Sequence, residues 1–347
     1  MSSTELLYEL VKIPSTSTNE REISIFLENK LVDLGMEITR SGNSLIGKLG
    51  RGRPTLMLCG HLDTVPPFFP PQIKGTRLFG RGAADDKGGL AAVINAIARV
   101  EQSKLKGTLL TTLVVDEELK SQGAQDILPY IEADFGVVCE PTNLKIVNGH
   151  KGRVTFYIET IGKSAHASKP ELGKNAIVAM AKLVVLIDEM RLIKHPVLGS
   201  ETLTVSAITG GDAPNIVPDR CRIGVDYRYV PPHDASSVLE MLKAKLPDAK
   251  IEFAEDLKNF SQPFYLSNHE IITLLDESIR FIGENPQVVT MDASTDASRF
   301  NEAGIPTVVF GPGDIAQAHT TDEWIDLREV ETASAIFREL IKRVLMA

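Results

Sequence analysis

The N-terminal part of the chain alternates segments of helical periodicity with short apolar runs. The helical segments are residues 5–11, 23–34 and 89–101. The apolar runs are residues 44–49, 55–59, 109–115 and 135–139. The run at 55–59 lacks polar alternation, as is typical of a strand that is covered on both faces. Strands that alternate with helices predict a doubly wound, mostly parallel α/β sheet.

The pattern changes after Gly152. A half-exposed strand at 154–161 is followed by a helix at 175–190, strands at 203–208 and 222–228, a helix at 235–246 and a strand at 250–253. This β-α-β-β-α-β order predicts a small open sheet with two helices on one face. A helix at 270–282, a strand at 307–310 and a C-terminal helix from about 327 then resume the α/β pattern. We therefore predict an α/β domain in residues 1–152 and 259–347, interrupted by an α+β, ferredoxin-like domain in residues 153–258.

Composition and charge narrow the classes of partner. The 347 residues carry a net charge of -9, which argues against nucleic acid or an anionic membrane as the main partner. No apolar run approaches the length of a membrane span, and the N-terminus lacks the pattern of a signal peptide. Cys59, Cys139 and Cys221 are far apart, which predicts reduced, buried thiols. We expect a cytoplasmic protein.

Polar side chains follow the predicted parallel strands, where open α/β sheets bind their ligands. His61 and Asp63 alternate after the first buried strand, so both side chains can point the same way. Asp63 could orient a metal-bound His61 through the imidazole N–H, although a capped turn with a hydrogen-bonded histidine is the simpler alternative. Further candidates follow the later strands: Glu117, Glu118, Glu140 and His319.

Two acidic segments, residues 80–89 and 116–118, have alternative interpretations. The glycine-rich segment 80–89 could cradle a phosphate, but it lacks the spacing of phosphate-binding loops, and Asp85 and Asp86 would repel the anion. The acidic run 116–118 could be a solvated turn, yet three carboxylates beside a buried strand are costly without a compensating cation. Histidine and carboxylates without a thiolate are the ligand mix expected for two divalent ions.

The order of these motifs resembles a known family. His-x-Asp, Asp-x-Lys-Gly, Glu-Glu, Glu-Pro and a late histidine occur in the dinuclear-zinc deacylases and exopeptidases. That family includes acetylornithine deacetylase, succinyl-diaminopimelate desuccinylase, aminoacylase and carboxypeptidase G. The resemblance covers nearly the whole chain. It implies the following roles: His61 and Glu140 bind one metal, Glu118 and His319 bind the other, Asp85 bridges them, Glu117 is the general base, and Asp63 orients His61.

The inserted domain resembles the dimerisation domain of this family. The resemblance implies that His166, in segment 162–170, stabilises the oxyanion in the active site of the other subunit. An ordinary surface-loop histidine is the alternative. The predicted helix at 175–190 has more apolar surface than one helical stripe. We therefore expect a homodimer, unless the small sheet covers this surface by itself.

Segments 140–142, 150–152, 210–215 and 294–297 look most like those of acetylornithine deacetylases. Asn215, Arg228 and Arg299 are expected to bind substrate oxygens, although a surface salt bridge is an equal alternative for Arg299. The expected reaction is metal-dependent hydrolysis of N-acetyl-ornithine to ornithine and acetate, with two Zn²⁺ ions that Co²⁺ can replace. The alternatives are a desuccinylase or carrier-linked lysine or ornithine hydrolase, a di- or tripeptide exopeptidase, and a catalytically dead binding protein.

Overall fold

The computed structural model describes residues 2–234, 236–237, 240, 243–244, 250–253 and 261–346. Most of the helix predicted at 235–246 lies outside these residues. The chain forms two compact units. The first contains Met1–Gly149, Tyr265–Thr290 and Thr295–Ala347. The second contains His150–Phe264 and Met291–Ser294.

Several α-helices of the described residues begin at a side-chain cap. Their bounds are α1 Ser3–Lys12, α2 Arg21–Asp33, α3 Lys87–Ala98, α4 Gln122–Ile127, α5 Ala176–Asp188, α6 Glu270–Ile282, α7 Ala297–Glu302 and α8 Leu327–Leu345. At the start of α1, the Ser2 hydroxyl accepts from the Glu5 N–H, and the Glu5 carboxylate accepts from the Ser2 N–H. Asn175 caps α5 by accepting from the Val178 N–H at 3.0 Å.

The strands form one large sheet and several smaller ones. Their bounds are β1 Glu37–Ser41, β2 Ser44–Gly50, β3 Thr55–His61, β4 Gln72–Lys74, β5 Arg77–Phe79, β6 Thr108–Val114, β7 Phe135–Val138, β8 Ile146–His150, β9 Gly152–Ile161, β10 Ala165–His166, β11 Lys194–His195, β12 Gly199–Ser200, β13 Thr202–Gly210, β14 Ile216–Val217, β15 Arg220–Tyr229, β16 Lys250–Phe253, β17 Phe264–Tyr265, β18 Val288–Met291, β19 Thr307–Val309 and β20 Trp324–Asp326.

The large sheet has the order β1-β2-β6-β3-β7-β19-β8-β17, with β18 paired to β8. Its central strands β6, β3, β7 and β19 are parallel, and the pairs β1–β2, β2–β6 and β19–β8 are antiparallel. Every residue of β3 and β6 is buried, which agrees with the prediction of strands covered on both faces. Helices α1, α3, α6 and α8 pack against one another in the core of this unit. The predicted α/β class is confirmed.

The second unit is built on a four-stranded antiparallel sheet of order β13-β15-β9-β16. In chain order its strands are β9, β13, β15 and β16, which gives the strand arrangement of a ferredoxin-like fold. Helix α5 packs on this sheet through Ala176, Met180 and Ile187. Among the described residues β13 lies at the edge of the sheet, and most of its side chains are exposed.

The cysteines and the apolar helices were the two remaining features considered in the sequence. Cys59, Cys139 and Cys221 are buried free thiols. No helix in the described part of the chain is both long and apolar enough to cross a membrane.

Candidate metal centre

Three neighbouring strands bring the acidic and imidazole groups together at their carboxyl ends, at one end of the large sheet. β6, β3 and β7 are adjacent and parallel, with His61 level with Val114 and Cys59 level with Val138. The residues that follow these strands therefore emerge side by side. For this reason His61, the Glu117–Glu118 turn and Glu140 lie at the same end of the sheet, as their positions after apolar strands predicted.

Asp85 lies between the two histidines. Its Oδ1 is 3.0 Å from Nε2 of His61, and its Oδ2 is 3.5 Å from Nε2 of His319. Nε2 of His319 is also 2.8 Å from Oε2 of Glu118. Two groups of possible metal ligands emerge within the described residues, one of His61, Asp85 and Glu140, the other of Asp85, Glu118 and His319. In each group the ligand atoms lie within 4.8 Å of one another. Asp85 belongs to both groups, so its carboxylate is placed to bridge two ions.

Asp63 connects His61 to the acidic turn. Its buried carboxylate accepts hydrogen bonds from the N–H groups of Glu117 and Glu118, both at 3.1 Å, and from the hydroxyl of Ser17 at 2.8 Å. Nδ1 of His61 lies 2.9 Å from the Asp63 carbonyl oxygen and 3.5 Å from its Oδ1. If Nδ1 carries the proton and donates to that carbonyl, the Nε2 lone pair is free for a metal. Asp63 thus contacts the imidazole through its carbonyl oxygen and the acidic turn through its carboxylate.

Electrostatics of the centre show an excess of buried negative charge. Burial raises the pKa values of Glu117 and Glu140 well above their usual range, and neighbouring carboxylates raise them further. Burial opposes the charge of His61, but hydrogen bonds with Asp63 and Asp85 outweigh it and raise the imidazole pKa. A divalent cation would compensate this buried negative charge and so lower these raised pKa values. The residues present therefore fit a metal centre.

Other nearby groups do not offset this charge. Burial lowers the pKa of Lys87 to about 7, and its Nζ donates to the Ile13 carbonyl at 2.8 Å. Burial raises the pKa of the Asp86 carboxyl well above its usual range. Burial also raises the pKa of Asp296 to about 6. Asp296 is the strongest electrostatic neighbour of Glu117. The sequence pattern predicts no role for Asp296, although segment 294–297 carries part of the family resemblance.

The remaining predicted residue of the first unit is Arg299, which lies in the short helix α7. Its side chain is largely buried, and its Nη1 is 3.7 Å from a carboxylate oxygen of Glu302. The ion pair that we considered as the alternative for Arg299 is thus present, although the side chain is not on the surface.

In the second unit, His166 and Asn215 lie close together. Strand β10 pairs with β14, with His166 opposite Ile216, and the Ala167 N–H donates to the Asn215 carbonyl at 2.9 Å. The exposed imidazole of His166 accepts from the Ser168 N–H through Nδ1. A neutral imidazole that accepts at Nδ1 carries its proton on Nε2. In that tautomer Nε2 is the donor nitrogen of His166.

Arg228 lies at the opposite end of the sheet of this unit. It is level with Arg153 near the start of β9, whereas the far end of β9 at Ile161 is level with Arg220 and leads to His166. The stretch of β15 from Arg220 to Arg228 spans about 27 Å. Arg228 and Arg153 each donate from Nε to the carboxylate of Asp226, at 2.8 and 2.9 Å.

Comparison with known proteins identifies the family. A model of peptidase family M20/M25/M40 matches residues 57–343. The chain belongs to this family. The M20/M25/M40 assignment agrees with curated relatives that align over nearly the whole chain. Acetylornithine deacetylase of Proteus mirabilis is 31% identical over 99% of this chain and 97% of its own length. The Pasteurella multocida enzyme of the same name is 31% identical over 94% of this chain and 92% of its own.

Solved structures of the M20/M25/M40 family have the same fold. A tripeptidase from Staphylococcus aureus has a TM-score of 0.84 at 26% identity, covering 98% of this chain and 97% of its own. A dinuclear metal-binding peptidase of family M20 from Bacillus subtilis has a TM-score of 0.72 at 17% identity, covering 99% of this chain and 97% of its own. The predicted resemblance is confirmed, and the protein is a metal-dependent amidohydrolase of this family.

Proposed function

We propose that this enzyme hydrolyses the amide bond of N-acyl amino acids and that N-acetyl-ornithine is its substrate, yielding ornithine and acetate. The observation that carries the proposal is the pair of ligand groups that share Asp85 beside Glu117. The choice of substrate is supported by full-length relatives named acetylornithine deacetylase. A peptidase function on the same centre is the second candidate, because the S. aureus tripeptidase shares the fold.

In the proposed centre, His61 and Glu140 would hold one divalent ion, Glu118 and His319 would hold the other, and Asp85 would be shared by both. A bound metal would polarise the carbonyl of the substrate amide and lower the pKa of a bound water. We propose Zn²⁺ as the metal, with Co²⁺ able to replace it, because the ligands are imidazole nitrogens and carboxylate oxygens.

Glu117 is the proposed proton carrier. Its carboxylate takes a proton from the attacking water and passes it to the leaving amine. Burial, which raises the pKa of Glu117, also makes its carboxylate a stronger proton acceptor. Asp63 contributes by fixing the Glu117 backbone through its N–H, so that the base cannot turn away from the substrate.

The oxyanion that forms at the amide carbon needs a hydrogen-bond donor. The Nε2–H of His166 is the proposed donor, with the neighbouring Asn215 binding a substrate oxygen. Arg228 is the proposed partner of the substrate carboxylate, since guanidinium can bind a carboxylate through two hydrogen bonds. An N-acyl amino acid is far shorter than the distance of about 27 Å along β15 that separates the two ends of this sheet. His166 and Arg228 of one chain therefore serve two different active centres.

This separation supports a homodimer in which His166 and Asn215 act in the centre of a second copy. The edge strand β13 offers unpaired backbone groups, and α5 exposes Val185 and Leu186 to 55% and 51%. A two-fold axis would place the same edge and helix of both copies against each other. The apolar excess predicted for this helix is thus present as exposed surface. We propose no nucleic acid or membrane partner, and a cytoplasmic location that keeps the three thiols reduced.

A substrate panel tests the proposal. Metal-loaded protein is assayed with N-acetyl-ornithine, N-succinyl-diaminopimelate, N-acetyl-lysine, N-acetyl-citrulline, dipeptides and a tripeptide. We expect the highest kcat/KM for N-acetyl-ornithine. A higher value for any other substrate overturns the substrate assignment and leaves the metal centre standing. Full activity in metal-free protein overturns the whole mechanism.

A further inference from the structure

Glu323 holds the loop that carries Asp85. Its side chain is 1% exposed and receives four hydrogen bonds. Oε1 accepts from the N–H groups of Ala84 at 2.9 Å and Asp85 at 3.1 Å. Oε2 accepts from the Gly82 N–H at 3.0 Å and from Nη1 of Arg81 at 2.8 Å. One buried carboxylate therefore fixes the backbone of this loop up to and including the bridging residue.

Glu323 also fixes the C-terminal end of the loop that carries His319. It lies four residues after His319 and directly before β20, which pairs with β5. Its carbonyl oxygen accepts from the Gly80 N–H at 3.0 Å, immediately after β5. The two loops that supply Asp85 and His319 are thus joined at a single residue through its backbone and its side chain.

The bridging position leaves little freedom for Asp85. Its two oxygens approach different histidines, so a small displacement of its backbone alters both ligand groups together. We propose that Glu323 is a positioning residue that orients Asp85 relative to His319 and thereby sets the affinity of both metal sites. This inference rests on the metal centre proposed above. Glu323 belongs to neither ligand group, and it acts only through the residues that it holds.

Glu323→Gln tests this role with little change of shape. The amide keeps one acceptor oxygen and replaces the other by an NH₂ group that donates. At least one pair of donors then loses its acceptor, either the N–H groups of Ala84 and Asp85 or those of Gly82 and Arg81. We expect the dissociation constants of both ions to rise about 10- to 100-fold, the usual effect of losing a partner that orients metal ligands. Protein stripped of metal is titrated with Zn²⁺ against a competing chelator, and the visible spectrum of the Co²⁺ form is recorded.

Glu201→Gln is the matched control. Glu201 is 3% exposed, accepts from the N–H groups of Ile193 at 3.2 Å and Val230 at 3.3 Å, and pairs with His233 at 2.8 Å. It lies in the second unit. Both variants are expected to lower Tm, because each deprives buried donors of an acceptor. Only Glu323→Gln is expected to weaken metal binding and to change the Co²⁺ spectrum.

A milder variant covers the case in which Glu323→Gln does not fold. Arg81→Lys keeps the positive charge but removes the guanidinium that holds Oε2 of Glu323, so the carboxylate is held less firmly against the loop and a smaller loss of metal affinity is expected. Metal affinity equal to wild type in Glu323→Gln, or in Arg81→Lys if only that variant folds, overturns the positioning role. An equal loss in Glu201→Gln also overturns it. Wild-type protein that binds no metal refutes the proposed centre, and this role with it.

Discussion

Asp63→Asn is the sharpest test of how the centre is held together. In the wild type, Oδ1 accepts from the Glu117 N–H, and Oδ2 accepts from the Glu118 N–H and the Ser17 hydroxyl. Asparagine keeps one acceptor oxygen at most. If that oxygen takes the place of Oδ2, the Glu117 N–H faces an amide NH₂ group. If the oxygen instead takes the place of Oδ1, the Glu118 N–H and the Ser17 hydroxyl both lose their acceptor.

The magnitude follows from this count. A hydrogen bond to a charged group contributes about 1.5–3 kcal/mol to stability. The variant loses at least one such bond, so we expect the free energy of unfolding of the metal-free protein to fall by about 1.5–3 kcal/mol. Release of the Glu117 backbone should also displace the base. We expect kcat to fall about 100-fold, the lower part of the range for general-base catalysis.

The assay combines denaturant unfolding of the chelated protein with steady-state kinetics of the metal-loaded protein. Ser17→Ala is the control, because it removes one donor to the Asp63 carboxylate and leaves both bonds to the acidic turn. It should lose some stability while kcat stays near the wild-type value. A wild-type kcat in Asp63→Asn, accompanied by the expected loss of stability, would refute the proposed role of Asp63 in holding the base.

Removal of metal should abolish turnover, and Zn²⁺ or Co²⁺ should restore it; a chelated protein that stays active contradicts the centre. Because burial raises the pKa values of Glu117 and Glu140, their stabilising contribution is complete below the unfolded value of about 4.3 and is lost as pH rises through the folded values. The Tm of metal-free protein should therefore fall as pH rises above about 4.3, while that of loaded protein changes less, and parallel curves would contradict this. Glu117→Gln should lose kcat and keep metal, whereas Glu118→Ala should lose metal, and the reverse pattern would exchange the two roles. His166→Ala should lower kcat without loss of metal, and mixing it with Glu117→Ala should restore part of the activity through hybrid dimers. A mixture that stays inactive although its subunits exchange would contradict the shared active site.

The sequence by itself specified the strands and the chemistry at their ends. Local periodicity is a property of neighbouring residues, so the buried run before His61 and the run before the Glu117–Glu118 pair could be recognised without a structure. The structure extends the first run to β3, shifts the second by one residue to β6, and buries both strands completely. Short or exposed strands such as β1 and β4 carried no comparable pattern and were not predicted.

Tertiary structure decided what each polar group touches. The hydrogen bonds from the acidic turn to Asp63 and from the Asp85 loop to Glu323 join segments that are far apart in the chain. No local pattern indicates such partners, because a carboxylate that holds a backbone loop has the same residue type as one that binds a metal or only water. The opposite placement of His166 and Arg228 likewise depends on strand register, which the pairing of whole strands determines. Residue types gave the chemistry available to this protein, and the long-range packing of the chain gave each group its partner.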